Sequence, residues 1–207
     1  MHCPYCHAPA FESQPQCPAC GFSLDGVETL FGMMPVMQPG ITDQADILDA
    51  RDARRRIDAA IASLKAAFPQ IGLSVVTVRL QPHQPLSAYA FWVFNRSGIC
   101  RELDKGGKSR DVLLTVDAAN GRASLMIGYG LEPFVSEQTL SRILAVGAPA
   151  FSQGDWTSGI EAIIGNAEKT LLEILGALPR IYGLEPASLQ SEEPAARLTE
   201  SSGVASW

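Results

Sequence analysis

Hydrophobic positions recur along this chain with two periods, and the switch between them marks out its elements. From about residue 47 to 68, Leu48, Ala53, Ile57, Ala60, Ile61, Leu64 and Phe68 return mostly every three or four residues, the stripe of a helix with one face buried. Asp46 or Asp49 stands where a cap would start it, and Pro69 ends it. Residues 72–80 (Gly-Leu-Ser-Val-Val-Thr-Val-Arg-Leu) are rich in β-branched residues and predict a strand. Leu86, Tyr89, Ala90, Val93 and Phe94 then mark a short helix over 86–95. A polar stretch over 96–110 carries Arg96, Arg101, Lys105, Lys108 and Arg110 against Glu102 and Asp104. Two more strands are expected at 111–117 and 122–128. Ala119-Asn120-Gly121 between them is a hairpin signal, since Asn-Gly accepts positive φ at low cost. Helical spacing returns over 136–147 and 158–178, the latter with Ile160, Ile163, Ile164, Ala167, Leu171, Ile174, Leu175 and Leu178 as its stripe. From 179 the chain turns to Pro, Glu, Ser and Ala, a composition expected to be disordered. No internal repeat is visible.

Helix and strand alternate, so the expected fold class is α/β, a small mixed sheet flanked by helices as an α/β/α, Rossmann-like sandwich. The 72–80 strand, the 86–95 helix and the 111–117 strand make a right-handed parallel crossover, and the 122–128 strand returns antiparallel. That topology sends Asp111, the 96–110 stretch, Gly128-Tyr129-Gly130 and the start of the 136–147 helix to one edge of the sheet. It sends the 81–86 loop, Asp117 and the start of the first long helix to the other.

The first twenty residues follow neither period. They hold four cysteines in two C-x-x-C pairs, Cys3-Pro-Tyr-Cys6 and Cys17-Pro-Ala-Cys20, with ten residues between them. Two such pairs close a tetrahedral sulfur cage, the donor set of a structural zinc site. His2 and His7 lie nearby, but the cysteines already fill four positions. With every position taken by protein, the Zn2+ has no place for water or substrate and is structural. A module this small has no core of its own, so the metal is expected to supply most of its folding free energy. The chain thus divides into a zinc ribbon (1–26), an apolar linker (27–40), an α/β domain (41–178) and a tail (179–207). In the linker, Leu30, Phe31, Met33, Met34 and Met37 are too costly to leave in water and are expected to pack against the domain.

Of 207 residues, 46% are hydrophobic and 18% charged, which suits one medium globular domain with a small appendage. The net charge of -6 lies unevenly. Residues 1–50 contain six acids (Glu12, Asp25, Glu28, Asp43, Asp46, Asp49) and no Lys or Arg, and the rest of the chain balances. A ribbon without cations lacks the main electrostatic term for phosphate, so nucleic acid is not expected as a partner. No secretory signal or membrane span is evident, and clustered free thiols fit a reducing compartment. A cytoplasmic protein is the expectation. Cys100 is left over and carries no assigned role.

Several segments together resemble the TPM domain, the family of thylakoid acid phosphatase, photosystem II repair proteins and bacterial membrane-anchored relatives. They are Ile41-Thr42-Asp43-Gln44-Ala45-Asp46-Ile47-Leu48, read as opening a helix, Asp111-Val112-Leu113-Leu114-Thr115-Val116, Ile127-Gly128-Tyr129-Gly130-Leu131-Glu132 and Phe151-Ser152-Gln153-Gly154-Asp155-Trp156. The resemblance spans roughly residues 40–176. This chain departs from the family in having Arg110-Asp111 where an Asn-Gly is common, and a ribbon in place of a signal peptide and anchor.

The resemblance implies phosphatase activity for some members. Without a catalytic Cys or His, that chemistry needs carboxylates holding Ca2+ or Mg2+, or one acting as nucleophile. Asp111, at a strand start beside Arg110 and near Gly130, is the catalytic candidate. Arg110, Gly128, Gly130, Glu132 and Asp43 are candidate ligand-binding residues, although Asp43 falls at the opposite edge, where capping is the simpler role. For Gly128 and Gly130 a turn at positive φ is favoured over an anion-facing backbone concavity. Lys105-Gly106-Gly107-Lys108-Ser109 is not a nucleotide-binding loop, because Glu102 stands where the motif needs glycine and the flanking strand and helix are reversed. The favoured function is a binding or adaptor module with a protein partner. The alternative is a metal-dependent acid phosphatase-like hydrolase.

Overall fold

The structure, a computed structural model, describes residues 2–10, 14–48, 50–99 and 110–181, the last four by backbone alone. Asp49 as a cap, Cys100, most of the polar 96–110 stretch and the tail beyond 181 lie outside the described residues.

Four strands make one sheet in the order β1-β2-β3-β4: β1 (Ile41–Asp43), β2 (Leu73–Val78), β3 (Val112–Asp117) and β4 (Arg122–Ile127). β1, β2 and β3 are parallel, in register as Ile41↔Val75 and Val75↔Leu114, and β4 returns antiparallel with Val112 opposite Ile127. The fold is α/β, a mixed sheet with helices on both faces. Every residue of β3 is buried, which explains its unbroken Val-Leu-Leu-Thr-Val run; a central strand covered on both faces has no reason to alternate.

The two faces bury separate cores. On one, Leu73, Val75, Val112, Leu114, Val116 and Leu125 meet α2 (Arg51–Ala67), α4 (Glu137–Ala145) and α6 (Trp156–Ile181) through Ile57, Leu64, Ile143, Ile160 and Ile163. α2 and α6 run parallel, tied by the Arg56–Glu161 ion pair and by Ser63 Oγ donating to Glu168 Oε1 at 3.1 Å. On the other face, Val76, Val78 and Leu113 meet α3 (Leu86–Arg96) through Tyr89, Trp92 and Val93. The outer cover of this second core comes from the N-terminal region: Phe22, Leu24, Val27, Phe31, Met34 and Met37 pack against it. Of the linker residues expected to pack, Phe31, Met34 and Met37 do so, and Met33 does not. The linker also carries a one-turn helix, α1 (Glu28–Phe31), while Met33 and Val36 remain 93% and 87% exposed.

Three expectations are corrected. Ile41–Asp43 is a strand, not the opening of a helix: the β-branched Ile41-Thr42 pair lies along β2, and Val75 N donates to Gly40 O at 2.7 Å. The long helix then begins at Arg51 rather than 47, because the Asp43 carboxylate accepts from Ile47 N and Leu48 N and Asp46 turns left-handed at φ 51°. Among the described residues neither Asp46 nor any other side chain caps that helix; its N-cap position is Ala50. Finally, a short α5 (Ala148–Phe151) fills the gap before α6, which starts at Trp156 and continues to Ile181.

Candidate metal centre and adjoining cleft

The two C-x-x-C segments fold into the same turn twice. Cys3 N donates to Ala8 O and His7 N to Cys3 O; Cys17 N donates to Phe22 O and Gly21 N to Cys17 O, all at 2.8–2.9 Å. In each turn the residue after the second cysteine is left-handed, His7 at φ 60° and Gly21 at φ 73°. Glycine takes that conformation freely, whereas a side chain costs about 1–2 kcal/mol. His7→Gly is therefore expected to stabilise the metal-bound module by about 1 kcal/mol, roughly fivefold in metal affinity. A competition titration against a chromophoric chelator measures it; weaker binding by the variant would instead make His7 a contributor to the site.

These turns bring the four Sγ atoms within 4.8 Å of one another. Cys3 and Cys20 Sγ are 3.8 Å apart, Cys6 and Cys17 Sγ 3.7 Å. A sulfur–sulfur bond is about 2.05 Å long. Four sulfurs at about 2.3 Å from a tetrahedral ion have edges of about 3.8 Å. The spacing fits four ligands around one cation, so Cys3, Cys6, Cys17 and Cys20 can hold a metal such as zinc. Backbone N–H groups aim at the sulfurs as such a site requires, Tyr5 N lying 3.4 Å from Cys3 Sγ. As free acids the thiols are unequal. Hydrogen bonds from the Cys20 and Ala19 backbone hold Cys17 down at about 7, while desolvation pushes Cys20 up to about 12. A divalent ion at the centre offsets the repulsion that four neighbouring thiolates would otherwise suffer. His2 and His7 are not part of the cluster.

The sulfur pair Cys3 and Cys17 is buried and faces the α/β domain; Cys6 and Cys20 face solvent. Beside the buried pair lies a cleft of about 330 Å3. Pro4, Pro15 and Phe22 form its ribbon wall, and Phe91, Arg96 and Tyr129 its domain wall. Arg96 pairs with Asp25 at 2.5 Å, and the Tyr5 and Phe22 rings stack at 5.8 Å on the ribbon side. Sequence reasoning missed this site, because nothing in the pattern fixes where the ribbon lies against α3.

The acids read as candidates do not converge. Asp43 ends β1 opposite Thr77, at the edge where the parallel strands finish. Its carboxylate is engaged by Ile47 N, Leu48 N and the Thr77 hydroxyl. Asp111 stands at the other edge, just before β3, with its carboxylate against Gly72. Arg110 and Glu132 are exposed near that same edge. Gly128 N donates to the Asp111 carbonyl, and Gly128 O accepts from Leu131 N, both at 2.9 Å. The glycine segment is thus a turn, but Gly128 and Gly130 are not among the left-handed glycines, which corrects the expected positive φ. Asp117, which sequence reading placed at a strand end, is also wrapped in donors, from Leu80 N, Ala119 N, Asn120 and Arg122.

A family model for the TPM domain matches residues 41–170, more than half of the chain. Several solved structures are similar, among them these three. The N-terminal domain of a P. gingivalis protein is 20% identical, covering 72% of this chain and 89% of its own at a TM-score of 0.55. The N-terminal domain of a Corynebacterium glutamicum protein is 16% identical, covering 64% and 80% at 0.48. A protein of the psychrophile Bizionia argentinensis is 16% identical, covering 58% and 81% at 0.47. A comparison with curated proteins returned no match. The chain belongs to the TPM domain family, which it joins to an N-terminal four-cysteine module.

Proposed function

We propose that this chain is a cytoplasmic protein-binding module in which Zn2+ holds the ribbon and a segment of a partner protein docks in the cleft between ribbon and domain. The cleft carries the reading. It joins aromatic rings on both walls and prolines on the ribbon wall to an exposed Arg96–Asp25 pair at its side, the mixture of apolar anchors and polar rim that peptide recognition uses. Tyr129, 56% exposed, is the kind of rigid amphipathic side chain that dominates such contacts. The first fifty residues lack Lys and Arg, which argues against nucleic acid. Among the described residues no helix is long and apolar enough to cross a membrane. Sulfurs spaced for an ion rather than for disulfides favour a reducing compartment.

The phosphatase-like alternative, with Asp111 holding Ca2+ or Mg2+ or acting as nucleophile, has less support. Asp43 is at the other edge with its carboxylate engaged, and among the described residues the only group of three or more metal-ligating side chains is the cysteine cluster.

A photo-crosslinking residue placed at Tyr129 or Phe91 in the native host tests the proposal. The same partner should be trapped from both positions and not from Arg55, which is exposed on α2. Its purified form should bind the intact chain and lose affinity to Phe91→Glu. No common crosslink, together with Ca2+- or Mg2+-dependent phosphate release that Asp111→Asn abolishes, would replace this reading with the enzyme.

A further inference from the structure

The metal module and the second core share one wall. Two residues beyond Cys20, Phe22 enters that core, followed by Leu24 and the 2%-exposed Val27. Phe31 then lies over α3, stacked on Trp92 at 5.9 Å and edge-on to Tyr89 at 5.3 Å. Polar ties follow the whole length of α3. Ser87 Oγ donates to Pro4 O at 2.6 Å in the first cysteine turn, Gln84 Nε2 donates to Leu30 O, and Arg96 meets Asp25 at the far end. The strap from Phe22 to Gly40 has a single four-residue helix and no strand. Such a segment has little backbone hydrogen bonding of its own and is held mainly by its two ends and its buried side chains. One end is β1. The other is the second cysteine turn, where Cys17 N and Phe22 O are bonded to each other.

We infer that metal occupancy of Cys3, Cys6, Cys17 and Cys20 switches the second core between covered and open. With the ion bound, the cysteine turns clamp the strap over α3. When it leaves, the strap loses one of its two anchors, and Tyr89, Trp92 and Val93 come into contact with water. The first core, a separate cluster on the opposite face of the sheet, keeps its packing. The four-cysteine site is then a metal-dependent latch on one face of the TPM domain. The inference rests on the zinc reading above, and its test separates the two.

The full chain, loaded to one Zn2+, is stripped with a chelator, and metal content is measured at each step. Amide hydrogen exchange is followed over Leu86–Arg96 and, as an internal control, over Arg51–Ala67. Stripping should cut protection in α3 by about tenfold or more while α2 changes far less. In a chain whose only tryptophan is Trp92 (Trp156→Phe, Trp207→Phe), emission should move to the red on stripping and return when Zn2+ is restored. Stoichiometric metal loss with α3 protection and Trp92 emission unchanged overturns the latch and leaves the zinc reading standing. A chain that takes up no Zn2+ at saturating metal overturns both. Exchange on the unsubstituted chain decides the matter even if the tryptophan variant fails to fold.

Discussion

Cys17→Ser is expected to abolish stoichiometric metal binding. The parent chain should carry one metal per molecule, and the variant none after dialysis. The two Sγ–Sγ edges, 3.8 and 3.7 Å, are those of a tetrahedron of four sulfurs, and among the described residues no other metal-ligating side chain joins the cluster. Serine keeps the shape but presents a neutral hydroxyl at neutral pH, where the site needs an anion. Metal binding supplies about 10–16 kcal/mol in small four-ligand modules. Even an equal share for one ligand is then about 3 kcal/mol, or roughly a hundredfold in affinity. Cys100→Ser should keep the metal, since Cys100 belongs to neither C-x-x-C pair. Co2+ reports the same contrast, giving intense thiolate-to-metal bands in the parent that weaken in Cys17→Ser. Protons compete with the ion for the thiolates, so affinity should rise with pH in the parent. A Cys17→Ser chain that retains one tightly held zinc would refute the four-sulfur site.

How much of this was legible in the residues depends on the range of the interaction involved. The cysteine spacing is local chemistry: ligands with two and ten residues between them can meet without knowing the rest of the fold, and they do. The Val-Leu-Leu-Thr-Val strand and the Asn-Gly hairpin are equally local, and Gly121 takes the expected positive φ of 64°. β1 was hidden because three residues carry no period. Ile41-Thr42-Asp43 is a strand only by virtue of its neighbour Val75. The start of α2 was misplaced because the Asp43 carboxylate, which looks like a helix cap in sequence, ties down a non-helical turn through Ile47 and Leu48. The cleft was out of reach for a related reason. Phe22 and Phe91 are 69 positions apart, and only the packing of the strap on α3 makes them face each other. Apolar residues in the linker announced that something would be covered, not which face.

Replacing Asp117 should produce the largest loss of stability in the α/β domain. Its side chain is fully buried. The carboxylate accepts from Leu80 N and Ala119 N at 3.1 Å, from Asn120 Nδ2 at 2.7 Å, and from Arg122 at 2.7 Å. Those donors come from the end of the β2 loop, the hairpin turn and β4, so one side chain joins the crossover leading into α3 to the hairpin beside it. Burial alone would raise its pKa, but Arg122, Asn120 and the Leu80 N–H together hold it below the ordinary carboxylate range. Asp117→Ala strips the acceptor from buried donors and leaves a cation without its partner, a change that costs about 3–5 kcal/mol when one member of a buried pair is removed. The lower half of that range is expected, because Arg122 is 41% exposed and can turn to water. Arg122→Ala should cost less than Asp117→Ala, since Asn120 and two backbone N–H groups still support the carboxylate. The pH dependence has a definite sign. A carboxyl whose folded pKa is depressed contributes stability that is present above its unfolded value and is lost as pH falls through the folded one. The gap between parent and Asp117→Ala should therefore be full at pH near 7 and close in strong acid, where the parent's carboxyl is protonated too. Urea unfolding of both chains across that range measures it. A gap that stays constant with pH would mean that Asp117 acts through its shape and neutral hydrogen bonds rather than through its charge.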